Sequence, residues 1–231
     1  MKLSQLLNDV KTLQVTGNAE DVEVRKLTIN SLEAEENSIF FAIKGYKTDG
    51  HKFILDAINK GASAIVLDNN DVVPSEIFDK SNVVKIVVEN SRKALSQFSN
   101  VLYGRPSENL NVYGITGTKG KSTTAFYLKS ILEAGGDGCG LIGTISNFIG
   151  DEEWKSRLTT PEAHEINLMF DTMLKKGIKH SVMEVSSHSL YLNRVDDIDF
   201  DSVIFTNIAS DHLDFHKTFE NYFAAKKIVV R

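Results

Sequence analysis

Asn111-Val-Tyr-Gly-Ile-Thr-Gly-Thr-Lys-Gly-Lys-Ser-Thr-Thr124 is the stretch that decides the fold. Its first residues are an apolar run of the kind buried in a strand, and an amphipathic helical pattern follows at 123–134. Between them the chain turns on glycine. Gly117 and Gly120 let consecutive N–H groups converge on phosphate oxygens, and the N-terminus of the next helix adds positive potential there. Thr118, Lys119 and Thr123 complete the cradle, Lys121 is placed to neutralise β- and γ-phosphates, and Ser122 offers a hydroxyl to magnesium. The common spacing G-x-x-x-x-G-K-[ST] requires glycine at 115, where this chain has Ile115, so the first glycine is displaced to Gly117. The loop implies nucleotide binding and leaves the acceptor open.

Outward from this loop, strand and helix patterns alternate. Strands are expected at 110–115, 139–145, 180–185 and 202–206, and helices at 123–134, 162–176 and 219–230. That alternation predicts an α/β fold: a mostly parallel P-loop-type sheet with helices on both faces. Upstream, a short helix precedes strand-like runs at 22–24, 27–29 and 38–43, a helix at 51–60, strands at 64–67 and 83–88, and a helix that Ser91 can cap. These form a smaller α/β domain. The polar Gly104-Arg-Pro-Ser-Glu-Asn109 reads as the joint, giving domains 1–104 and 105–231.

Composition narrows the function classes. A formal charge of -5 without a Lys/Arg block argues against a protein that tracks a nucleic-acid backbone. No stretch is long and apolar enough to span a membrane, and the start lacks a signal-peptide pattern, so a cytoplasmic protein is expected. The one cysteine, Cys139, has no intrachain partner and sits among small residues, as a buried filler does.

Two further strands carry polar chemistry to their C-terminal ends, where ligands bind in doubly wound sheets. Ser181-Val-Met-Glu184 delivers a carboxylate suited to magnesium, and burial of that carboxylate without a partner would be costly. Ser202–Thr206 leads into Asn207-Ile-Ala-Ser-Asp-His212, which puts His212 at the same edge. In the helix after it, Tyr222, Ala225 and Val229 share one face, and composition reads both Lys226 and Lys227 as solvated.

Five ordered motifs resemble those of the Mur ligase family: 116–123 (TGTKGKST), 158–162 (LTTPE), 184–190 (EVSSHSL) with Asn193-Arg194-Val195, 206–216 (TNIASDHLDFH) and 222–226 (YFAAK). They are most similar to the member that adds the third residue to the UDP-muramoyl peptide. The resemblance implies ATP-dependent acylation of an amino acid by UDP-N-acetylmuramoyl-L-alanyl-D-glutamate through an acyl phosphate, in peptidoglycan precursor synthesis. It implies magnesium on Ser122, Glu184 and His212, with Lys226 carbamylated to support a second ion. It puts uridine near Ile29, Asn30 and Ser31 and near Tyr46, Lys47 and Thr48, and the muramoyl peptide against Thr159, Thr160, Ser186 and Arg194. In that family a third domain supplies adenine-side contacts and selects the amino acid, so a chain ending at Arg231 is expected to be incomplete and inactive alone. A folylpolyglutamate synthetase, which has a similar loop, and a non-catalytic UDP-sugar or nucleotide binder are the alternative readings. The segment at 1–104 ahead of the loop speaks against the first.

Overall fold

Short apolar runs bounded by turn residues become strands in both halves of the chain. The computed structural model describes residues 1–46 and 48–230, which divide into two compact units, Met1–Leu102 and Tyr103–Arg231. The first unit is a five-stranded sheet of β1 (Gln14–Thr16), β2 (Lys26–Thr28), β3 (Ser38–Phe41), β4 (Ala64–Leu67) and β5 (Val84–Val87), in the order β1-β5-β4-β3-β2. β1 is antiparallel to β5 and the other pairs are parallel. Every residue of β3, β4 and β5 is buried, as expected where a parallel sheet is covered on both faces. The helices are α1 (Leu3–Asn8), α2 (Ile54–Asn59), α3 (Ser75–Ser81) and α4 (Ser91–Leu102). Phe98 of α4 meets Phe41 of β3 edge-on, with ring centroids 5.4 Å apart.

The sequence pattern misjudges three places here. The run at 22–24 makes only an isolated bridge, Lys2 to Glu23, instead of a strand. Edge strand β1 was invisible because it is short and mostly exposed, with no apolar alternation to read. α3 was missed because its buried anchor, Phe78, lies in an otherwise polar segment.

The second unit is a six-stranded sheet of β6 (Asn111–Thr116), β7 (Cys139–Ile142), β8 (Asn147–Ile149), β9 (Glu152–Trp154), β10 (His180–Glu184) and β11 (Ser202–Phe205), in the order β11-β6-β10-β7-β8-β9. β11, β6, β10 and β7 are parallel, while β8 and β9 add an antiparallel edge. The helices are α5 (Lys121–Ala134), α6 (Ala163–Lys175), α7 (Ser187–Tyr191), α8 (Leu213–His216) and α9 (Phe219–Lys227), closed by a 3-10 turn at Ile228–Val230. The alternation of β10 shows both faces covered: Val182 packs with Ile115, Leu141 and Ala125 of α5, while Met183 packs with Ile142 and with Ile166, Phe170 and Met173 of α6. The strand expected at 139–145 stops at Ile142, where Gly143 turns away, and α9 gives way to the 3-10 turn after Lys227.

Because the four parallel strands run the same way, Thr116, Ile142, Glu184 and Phe205 end on one edge. Among the described residues, no helix is long and apolar enough to cross a membrane.

Candidate functional site

Gly117 leaves β6 at φ +142° and Gly120 caps α5 at φ +84°, both conformations that favour glycine. A Cβ on Gly117 would lie 2.0 Å from Thr206 Oγ1 and 3.0 Å from the Asn207 carbonyl. The loop is held by that close approach. The Thr118 N–H donates to the Asn207 carbonyl (3.0 Å) and the Lys119 N–H to Asn207 Oδ1 (3.1 Å), while Thr206 Oγ1 donates to the Lys119 carbonyl (2.7 Å). Thr124 makes the first α5 bond back to Gly120, so the amides from Gly120 to Thr123 form the open first turn that can meet an anion. The loop expected at 117–123 thus divides: the amides of Thr118 and Lys119 hold the loop to Asn207, and those of the first helical turn precede the first α5 bond.

Lys121 folds back, donating to the carbonyls of Gly117 (3.0 Å) and Thr118 (3.1 Å). Burial draws its pKa down, against the opposing pull of Glu184 and Asp211.

α9 closes on the same loop. Lys226, which composition reads as solvated, is only 2% exposed; its Nζ donates to the Gly117 carbonyl (2.9 Å) and to Thr116 Oγ1 (3.3 Å). Burial, with the nearby Lys121 charge, lowers its pKa to about 8. Lys227 is exposed, as the helical spacing suggested. One turn before Lys226, the buried Tyr222 hydroxyl meets Thr118 Oγ1 at 2.9 Å. That threonine oxygen also accepts from the Ala209 N–H (3.0 Å) and donates to the Ala209 carbonyl (3.2 Å), so its hydrogen-bonding capacity is filled by protein.

Glu184, 1% exposed, ends β10. Its Oε1 accepts the Thr144 N–H (2.9 Å) and its Oε2 the Thr144 hydroxyl (3.1 Å). Gly143 makes room, since a Cβ there would stand 2.5 Å from Oε1. Among the described residues no three His, Cys, Asp or Glu side chains converge to hold a metal. The donors instead fit magnesium as it is usually held, by one carboxylate and a hydroxyl with phosphate oxygens and water. Lys226 in its unmodified form is a donor and not a ligand.

A cleft of about 230 Å³ gathers Gly117, Lys121, Thr159, Thr160, Ser186, Arg194, His212 and Lys226. Ser122 and Glu184 are not among its lining residues. Arg194 is nearly buried, paired with Glu162 Oε1 at 2.7 Å and donating to the Thr160 carbonyl at 3.1 Å. Thr160 in turn donates to the Glu184 carbonyl (2.8 Å) and accepts the Ser186 N–H (3.0 Å), which ties the 158–162 segment to the end of β10. His212 is exposed and left-handed at φ +51°, and its ring lies 4.8 Å from that of His188. His188 itself has its pKa lowered by burial and by the His212 and His216 charges beside it.

In the first unit, Ile29 and Ser31 follow β2, and Tyr46 and Thr48 follow β3. β2 and β3 are parallel neighbours, so both groups lie past the same sheet edge. Ser31 is buried in a 3-10 turn whose cap, Asn30, accepts the Leu32 N–H at 3.1 Å and donates to Glu33 at 3.1 Å. Tyr46 is 87% exposed. Lys47 lies outside the described residues. Behind this tip, the buried His51 bonds Asp49 through Nδ1 (2.7 Å) and reaches Asp68 through Nε2 (3.2 Å).

Residues 115–231 match the Mur ligase middle domain and residues 23–103 match the domain described as Mur ligase family, catalytic domain. The chain belongs to the Mur ligase family. A UDP-N-acetylmuramoyl-L-alanyl-D-glutamate–2,6-diaminopimelate ligase of Clostridium tetani is 47% identical over 100% of this chain and 47% of its own length. A relative of the same name from Clostridium acetobutylicum is 46% identical, again over 100% of this chain and 46% of that protein. The chain therefore spans about half the length of these Mur ligases. A solved structure of a ligase of that name superposes with a TM-score of 0.78 at 20% identity, covering 99% of this chain and 44% of the other, which bears on the fold alone. A MurF ligase from Thermotoga maritima solved with ADP is 25% identical, with a TM-score of 0.59 over 91% of this chain and 44% of that one.

Residues that motif reading of a Mur ligase passed over now have contacts. Asn207 lies within a recognised motif, yet its grip on the loop could not be read from spacing. Gly143 and Thr144 sit at the end of β7, and the same rule of C-terminal strand ends that singled out Glu184 points to them.

Proposed function

We propose that this chain is the acceptor- and nucleotide-binding part of an ATP-dependent Mur ligase that joins an amino acid to UDP-N-acetylmuramoyl-L-alanyl-D-glutamate. The observation that carries the reading is the single cleft in which loop residues Gly117 and Lys121 face Thr159, Thr160, Ser186 and Arg194, the residues of the motifs expected at the acceptor. In the reaction, a carboxylate oxygen of the acceptor attacks the γ-phosphorus of ATP and ADP leaves. The amine of the amino acid then attacks the acyl carbon, phosphate departs, and the amine loses a proton. We infer 2,6-diaminopimelate as the amino acid, from the names of the Clostridium relatives.

The chain's own residues would work chiefly by positioning and by placing positive charge where negative charge builds. The α5 first turn and Lys121 would hold the transferred phosphoryl group. Thr159, Thr160, Ser186 and Arg194 would orient the acceptor's peptide end, while Ile29, Ser31, Tyr46, Lys47 and Thr48 of the domain we assign to residues 1–104 would hold the uridine. Ser122, Glu184 and His212 would hold magnesium, which when bound offsets phosphate charge. Lys226, with its lowered pKa, keeps more neutral amine than an ordinary lysine, as carbamylation by carbon dioxide requires. A free buried thiol and nucleotide-dependent chemistry suit the cytoplasm.

Calorimetric titration with UDP-N-acetylmuramoyl-L-alanyl-D-glutamate and with Mg·ATP tests this reading. Binding of both, with ATP binding lost in Lys121→Ala, is the expected result. Binding of a pteroate in place of the UDP-sugar would favour the folylpolyglutamate synthetase alternative.

A further inference from the structure

Thr144 stands between two functional groups. Its side chain is exposed on the loop after β7, yet its hydroxyl lies 3.1 Å from Glu184 Oε2 and 3.0 Å from Thr159 Oγ1, and its N–H reaches Glu184 Oε1 at 2.9 Å. A carboxylate can only accept, so the one hydroxyl proton of Thr144 belongs to Glu184, and Thr159 can supply its own proton to Thr144 Oγ1. Both Glu184 oxygens are then held by a single residue, against a glycine whose missing Cβ leaves them room. A carboxylate fixed at both oxygens has one orientation; held only by the backbone N–H, it could rotate about its last bond.

We propose that Thr144 is a positioning residue: it fixes the Glu184 carboxylate for magnesium and links that carboxylate, through Thr159, to the acceptor side of the cleft. This rests on the reading of Glu184 as the magnesium carboxylate. The backbone N–H and the Gly143 gap survive replacement of Thr144, so the hydroxyl can be tested by itself. Loss of one charge-assisted hydrogen bond of this kind corresponds to about a tenfold change in an equilibrium constant.

The experiment is calorimetric titration of the whole chain with ATP, in excess magnesium and in EDTA, for wild type, Thr144→Val, Thr144→Ser and Thr144→Ala, with thermal melts run alongside. Magnesium should strengthen ATP binding to wild type. In Thr144→Val that enhancement should fall about tenfold while affinity in EDTA stays the same, and Thr144→Ser should restore it. Thr144→Ala should behave as the valine variant does and serves in its place if valine disturbs the fold. An undiminished enhancement in both Val and Ala variants, or an equal loss with and without magnesium, overturns the proposal. If wild type itself shows no magnesium enhancement, the magnesium reading of Glu184 falls and takes this proposal with it, an outcome distinct from a wild-type response that Thr144→Val leaves intact.

Discussion

Replacing Gly117 by alanine tests whether the phosphate loop is held by its fit against residues 206 and 207. Two costs add. The backbone at φ +142° lies where residues with a Cβ are rarely found, a strain of about 1–3 kcal/mol. The new methyl would also sit 2.0 Å from Thr206 Oγ1 and 3.0 Å from the Asn207 carbonyl. Thr206 would have to rotate away from the Lys119 carbonyl, and a shift of Asn207 would loosen its bonds to the Thr118 and Lys119 amides. At about 1 kcal/mol for each of two or three disturbed hydrogen bonds, the sum with the strain is roughly 3–6 kcal/mol. Gly120→Ala is the internal comparison: its φ of +84° carries similar backbone strain, but a Cβ there meets nothing within 4 Å, so about 1–2 kcal/mol is expected. Urea denaturation of both variants measures the difference. If instead the loop yields by moving, the cost appears as ATP affinity, with Gly117→Ala weakened at least 100-fold by calorimetry. Equal effects of the two substitutions on both stability and ATP affinity would refute the idea that the fit to Thr206 and Asn207 shapes the loop.

Three further outcomes follow from buried groups. Lys226 has a folded pKa of about 8, below its ordinary 10.5, so between those values the unfolded chain binds more protons and stability rises with pH. The deficit below pH 8 is on the order of 3 kcal/mol, and Lys226→Met should flatten the wild-type rise across pH 8–10.5 in urea titrations. Arg194→Ala leaves the nearly buried Glu162 without its guanidinium and should cost about 3 kcal/mol by the same assay, with Arg194→Lys recovering only part because an ammonium cannot reproduce the fork. Burial pushes the Cys139 thiol up to about 12, so at pH 8 it should react with a thiol-specific reagent only as fast as the second unit opens, and immediately in denaturant.

The strands that carry the site were legible because a buried parallel strand leaves an unbroken apolar run, as at 111–116 and 180–184. β8 and β9 leave no such pattern, because runs of three residues are too short to show an alternation and β9, at the sheet edge, is mostly exposed. The same limit applies to side chains. Spacing alone put Lys226 next to the buried face of its helix but gave no reason to bury it; that reason is the Gly117 carbonyl, 109 positions earlier in the chain.

The sequence by itself determined the α/β class, the order of strand, glycine loop and helix, and the family, since each rests on local periodicity or on motifs a few residues long. Only the tertiary structure decided which loop amides Asn207 holds, that Thr144 holds Glu184, and that Lys226 lies under the phosphate loop. Those contacts join residues from different strand ends, and the register of β6, β7, β10 and β11 brings them to one edge.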